Sequence, residues 1–201
     1  MTLTEDRSAT EARPEARTAM IVSQLRTSGV NEHWVLNAMA AVAREDFVPA
    51  AMRDAAYIDR AIPLENGRFL AAPLFHGKLL AEAAPTQDDK VLLVGEANGY
   101  LATLLRPLAG SLTVVDPAEV AGLAGEGGYS LAVIDGAVEE LPAAVSAQLA
   151  DGGRVVTGVV ARGVTRLASG LKASGTVSLL PLIEMGIPAL PEFAAPKNWS
   201  F

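Results

Sequence analysis

Gly95, Glu96, Asn98, Gly99 and Asp116 are the residues whose types and spacing can do chemistry. They sit in "KVLLVGEANGYLATLLRPLAGSLTVVDP", Lys90 to Pro117, laid out as the strand–turn–helix–strand start of a nucleotide-binding unit. Such a turn needs glycine for two reasons: the backbone bends sharply, and it approaches a ligand with no Cβ in the way. Gly95 and Gly99 can meet both needs. Asn98 is a fair substitute, because asparagine tolerates positive φ, and Ala97 is a worse one. Asp116 closes the second strand, 21 residues after Gly95 (116 − 95). A carboxylate there can accept hydrogen bonds from both ribose hydroxyls. The turn is not the G-x-G-x-x-G of a pyrophosphate binder, and Glu96 puts negative charge where a phosphate would lie. That disfavours a dinucleotide-dependent oxidoreductase. An S-adenosyl cofactor carries a sulfonium and an amine and suffers less. A strand–turn–helix that binds nothing is the other reading of this spacing.

Other polar residues carry competing readings. Tyr100 opens the helix after the turn, where packing competes with ligand contact. Asp135 ends a later strand at the same rim and could instead cap the next helix. Asp116 could likewise be a cap. The pair Asp88-Asp89 reads as solvated charge. With His33 and His76 the only histidines and no cysteine, a metal site is not expected. The absence of cysteine also excludes disulfides and thiolate nucleophiles.

The elements that must position these residues follow from periodicity. Met20, Ile21, Gln24 and Leu25 fall at helical spacing, stopped by Gly29; Asn31 is expected to cap a second helix presenting Val35, Leu36, Met39 and Val42. Pro73 to Ala83 reads as a helix. From Lys90 the pattern alternates: strand Val91–Val94, helix Tyr100–Leu108, strand Ser111–Asp116, strand Tyr129–Asp135, helix Val138–Leu149, strand "RVVTGVV". Strands alternating with helices imply a parallel sheet covered on both faces, with ligands at the carboxyl ends of its strands. "GVTRLASGLK" and "TVSLLPLIE", joined by Ala173-Ser174-Gly175, read as an antiparallel hairpin. The expected organisation is a flexible lead over 1–15, a helical and substrate-loop segment over 16–84, and a Rossmann-like domain over 85–201, packed as one unit.

Composition sets outer bounds. The 201 residues are half hydrophobic, which supports one sizeable core, and the formal charge is −7. Such acidity disfavours nucleic acid or an anionic membrane as a partner. No apolar run approaches the ~18 residues of a membrane span, and the polar start lacks a signal-peptide core. The expected location is the cytoplasm.

Further stretches carry a family resemblance. They include Gln24-Leu25, Gly29-Val30, Val35-Leu36, Arg44-Glu45-Asp46-Phe47-Val48-Pro49 and Ala56-Tyr57-Ile58-Asp59, then "VLLVGEANGYLATLL" and "YSLAVIDGAVEELPAAVSAQLADGGRVVTGVV". In this order and spacing the chain resembles the protein-L-isoaspartate O-methyltransferases. The resemblance implies an α/β, Rossmann-like methyltransferase fold that uses S-adenosylmethionine. It implies methyl transfer to a protein or peptide carboxylate, in repair of isoaspartyl damage. Gly95, Glu96, Asn98, Gly99, Tyr100, Asp116 and Asp135 then become cofactor-binding candidates, and Tyr57, Asp59, Gly67, Ala71 and Pro73 substrate-loop candidates. Three positions depart from the family. Its Thr-Ile-Ser-x-Pro loop reads Phe69-Leu70-Ala71-Ala72-Pro73 here, so Phe69 and Ala71 replace the hydroxyls and no catalytic side chain is assigned. The loop's middle glycine is Ala97, and the acid before the first glycine is replaced by Leu93 or Val94. "PAEVAGLAGEGG", between Asp116 and Tyr129, is too short for the helix, strand and turn expected there. One edge strand is therefore expected to be missing, leaving residues 111–116 as a sheet edge for a second copy to pair with. The alternative function is an inactive binding or assembly module.

Overall fold

Lys90–Val94 (β3) buries four of its five residues, as a strand in the middle of a parallel sheet must. It heads one of two compact units, Met1–Ala81 and Glu82–Phe201, in a computed structural model that describes residues 13–124 and 127–195. Residues 1–12 of the expected lead lie outside the described residues; the chain is helical from residue 13.

In the first unit, helix α1 (13–20) runs on through a π turn, Ile21–Leu25, and ends where Gly29 takes φ +79°. Helix α2 (His33–Ala41) buries Val35, Leu36 and Met39. Asn31 does not cap it. Glu32 holds the N-cap position without a side-chain cap bond, and its carboxylate instead accepts the Asn31 N–H at 3.0 Å. Strands β1 (Ile62–Pro63) and β2 (Phe69–Leu70) pair antiparallel around the turn Glu65–Gly67, where Gly67 takes φ +74°. Pro73 then opens helix α3 (Pro73–Ala83), a first-turn position where its missing N–H costs nothing. Gly77 lets α3 approach closely: a Cβ there would lie 3.3 Å from Val30 Cγ2 and 3.4 Å from Leu25 Cδ2.

The second unit is a six-stranded sheet in the order β4-β3-β5-β6-β7-β8. Its strands are β3, β4 (Ser111–Val115), β5 (Tyr129–Val138), β6 (Leu149–Ala161), β7 (Val164–Ala173) and β8 (Thr176–Glu184). The first four in spatial order run parallel, and β7 and β8 are antiparallel. The hairpin expected around Ala173-Ser174-Gly175 is the β7–β8 pair. β4 is the last strand on its side, the edge expected from the short connection after Asp116.

Helix α4 (Tyr100–Leu105) is shorter than expected, and the helix expected over Val138–Leu149 shrinks to α5 (Ala143–Gln148). The reason for the second difference lies in β5. Ala137 and Val138 pair with Gly158 and Val159 of β6, so the strand outlasts the apolar run that suggested its end. The tail takes up its other side. Ala137 donates to Pro188 C=O and accepts from Leu190 N–H, both at 2.8 Å, in a parallel bridge with Ala189. Leu92, Val94, Ile134, Val138, Val145, Val155 and Phe193 share one core cluster, with Leu190 packed against it.

Candidate functional site

The strand order reverses at β3: β4 lies on one side of it and β5 on the other. Open α/β sheets form a crevice at such a point, outside the carboxyl ends of the strands. Val94 is in register with Val115 on one side and Ile134 on the other. Gly95, Asp116 and Asp135 therefore come out side by side at one rim. Gly95 is buried and donates its N–H to Val115 C=O at 2.9 Å. A Cβ on Gly95 would stand 3.3 Å from the Asp135 Cβ, so the turn passes close under that carboxylate. Glu96, Ala97 and Asn98 are exposed. Gly99 closes the turn by donating to Glu96 C=O at 3.0 Å, and a Cβ there would lie 2.9 Å from the Glu96 Cβ. Arg106 donates to the Ala97 carbonyl at 2.7 Å and Thr103 to the Gly99 carbonyl at 3.0 Å, which ties the loop to α4.

Asp116 is the N-cap of the turn Pro117–Gly122, its Oδ1 accepting the Ala118 N–H at 2.9 Å. The cap role read from sequence is thus present. Asp135 is not a cap: it lies inside β5, and Pro142 precedes α5. Tyr100 is buried in the helix start. Three carboxylates around a glycine turn fit a ligand with hydroxyls and positive charge, and they oppose a pyrophosphate.

The substrate-loop candidates lie in the first unit. Phe69 is 49 % exposed, whereas Ala71 is 1 % exposed and Leu70 and Ala72 are buried. Gly67 supplies the turn and Pro73 the helix start. Asp59 Oδ1 accepts the Leu74 N–H at 3.1 Å at the first turn of α3. The Tyr57 hydroxyl donates to Glu45 and accepts from Arg17 Nε at 2.8 Å. Burial, then the Glu45 hydrogen bond, push the Tyr57 phenol up to about 12.

Two arrangements escaped the sequence reading. Arg44 is wholly buried and bonds the Ala56 and Ala71 carbonyls. Asp89 is 6 % exposed, not solvated: Ser130 donates to it at 2.7 Å, Thr86 N–H at 2.9 Å and Arg154 at 2.8 Å. Burial alone would raise the Asp89 carboxyl; the bonds from Arg154, Ser130 and Thr86 outweigh it and hold the group well below the usual carboxylate range. Neither burial is marked locally, because Ala71 for Arg44, and Ser130 and Arg154 for Asp89, lie far along the chain. Among the described residues, no three acidic or histidine side chains are placed to hold a metal ion. No helix among them is long and apolar enough to cross a membrane.

A family model described as Protein-L-isoaspartate(D-aspartate) O-methyltransferase (PCMT) matches residues 16–120. The chain belongs to this family. The match ends at Val120, inside the short connection after Asp116. A protein-L-isoaspartate O-methyltransferase of Koribacter versatilis is 36 % identical over 165 residues, covering 70 % of this chain and 74 % of that one. A namesake from Methanoculleus marisnigri is 29 % identical over 191 residues, covering 83 % and 87 %. Among solved structures, the crystal structure of a protein-L-isoaspartate O-methyltransferase from Plasmodium falciparum, in complex with S-adenosyl-L-homocysteine, superposes with a TM-score of 0.64 at 15 % identity, over 86 % of this chain and 97 % of that one. Another protein-L-isoaspartate O-methyltransferase structure reaches 0.70 at 15 % identity, over 89 % and 67 %. At such identity the structural likeness establishes the Rossmann-like fold, and the sequence matches establish the family.

Proposed function

We propose that this protein binds S-adenosylmethionine at the β3 tip and methylates a carboxylate of a protein or peptide, isoaspartyl groups first among them. The observation that carries the reading is Gly95 lodged between Asp116 and Asp135 in a chain of this family. Asp116 would hold the ribose hydroxyls. The Gly95–Gly99 turn would pass beneath the cofactor, and Glu96 would face its positively charged end. The bound cofactor would supply an electrophilic methyl group. An acceptor carboxylate is already ionised at neutral pH, so the protein needs no strong base; it has to place the acceptor in line. With Phe69 and Ala71 where the family has hydroxyls, that placement would fall on backbone groups of the loop.

Calorimetry with S-adenosylmethionine, followed by transfer of labelled methyl to an isoaspartyl peptide, tests this. Micromolar binding with transfer supports it. Binding without transfer points to a different acceptor. No binding at millimolar cofactor would leave an assembly module. We also propose that two copies pair through β4, whose Ser-Leu-Thr-Val-Val stretch carries neither the charge nor the proline that commonly guards an edge.

A further inference from the structure

The guanidinium of Arg44 is buried and reaches the Phe69–Pro73 loop from inside. Its Nε donates to Ala56 C=O at 2.7 Å, one terminal nitrogen donates to Ala71 C=O, and the other stands 3.2 Å from His76 Nδ1. Those partners belong to three segments: the end of the turn Ala50–Ala55, the loop itself, and the first turn of α3. A guanidinium is planar, and its donors point in fixed directions. One rigid group therefore fixes three segments relative to each other. Arginine can only donate, so in this contact His76 Nδ1 is the acceptor. Asp59 accepts the Leu74 N–H where α3 leaves the loop.

The loop's own side chains offer little to a polar ligand. Leu70, Ala71 and Ala72 are buried and apolar, and Phe69 is the exposed one. What the loop can present to a carboxylate is its backbone, and backbone groups are only as well placed as the segment that carries them. We propose that Arg44 is a positioning residue: it sets the backbone of Phe69–Pro73 for the acceptor and takes no part in holding the cofactor. This rests on the methyltransferase reading above.

The test compares wild type with Arg44→Lys, which keeps the charge but can serve only part of the fork, and with His76→Leu, which removes one partner. The readouts are cofactor affinity by calorimetry, KM and kcat for an isoaspartyl peptide, and amide exchange across residues 70–74. The expected result for Arg44→Lys is an acceptor KM raised about tenfold, cofactor affinity within about twofold of wild type, and faster exchange confined to the loop. His76→Leu is expected to shift the acceptor KM in the same direction by about threefold. If both variants keep the wild-type acceptor KM and loop exchange, the proposal is overturned. If Arg44→Lys fails to fold, His76→Leu decides on the same readouts. Wild-type protein that transfers no methyl at all sinks the function reading and the acceptor half of this one. Loop exchange then still decides whether Arg44 holds the loop.

Discussion

Asp89 shows how much one carboxylate can carry away from the candidate site. Its oxygens take bonds from Arg154, Ser130 and Thr86, and Arg154 in turn donates to the Ala83 and Ala84 carbonyls at 2.9 and 3.1 Å. Within the second unit the group thus joins residues 83–84, the start of β3, β5 and β6. Because its folded-state pKa is depressed, its contribution is present above the unfolded value of about 4 and is lost as pH falls toward the folded value. Asp89→Asn should cost about 2 kcal/mol at pH 7 and flatten the acid limb of stability, measured by urea denaturation between pH 7 and 3. An unchanged acid limb would refute this. Tyr57 has the opposite sign. Its phenol is raised to about 12, so its contribution holds below pH 10 and is lost as pH climbs from 10 to 12. Tyr57→Phe should cost about 1 kcal/mol at neutral pH and remove that alkaline loss, in the same denaturation series.

At the scale of elements, the tail segment Pro188–Phe193 is the unexpected part. It lies against the end of β5 on the side that β3 leaves open beyond Val94. Leu190 covers Gly136, where φ is +157° and an added Cβ would sit 2.7 Å from the Leu190 Cγ. Phe193 C=O then accepts the N–H groups of Glu139 and Glu140 at 3.1 and 3.3 Å. Gly136→Ala should therefore destabilise by about 1–3 kcal/mol through overpacking. Adding Leu190→Ala should recover part of that loss in a double-mutant cycle. Additive losses would mean that the two residues do not compete for the same space.

At the scale of the whole molecule, the two ends of the sheet are not alike. β8 carries Pro181, a register shift opposite Leu167 and Ala168, and the Arg166–Glu184 ion pair at 2.9 Å, all features that discourage another strand. β4 has none of these. Sedimentation at rising concentration should show self-association, and Thr113→Lys, which puts a charge on the exposed edge, should abolish it. A monomer at high micromolar concentration in both proteins would rule β4 pairing out.

The fold could be read along the chain because its signals are local. Apolar runs of strand length, the Gly95–Gly99 turn, Pro73 at a helix start and the Ser174-Gly175 turn each fix a few residues' backbone without outside help. The place of β4 at the sheet edge was legible too, since twelve residues between Asp116 and Tyr129 are too few for the elements expected there. The errors at β5 and Asp89 arose where a residue's partner is distant. Val138 continues a strand because Val159 and the tail's neighbour, Ala137, hold it there; Asp89 is buried because Arg154 lies 65 positions away to neutralise it. Periodicity reports which residues can be buried together in one element. Which carboxylate is desolvated, which arginine fastens a loop and which strand outlasts its apolar run depend on long-range pairing, and only the assembled chain decides those.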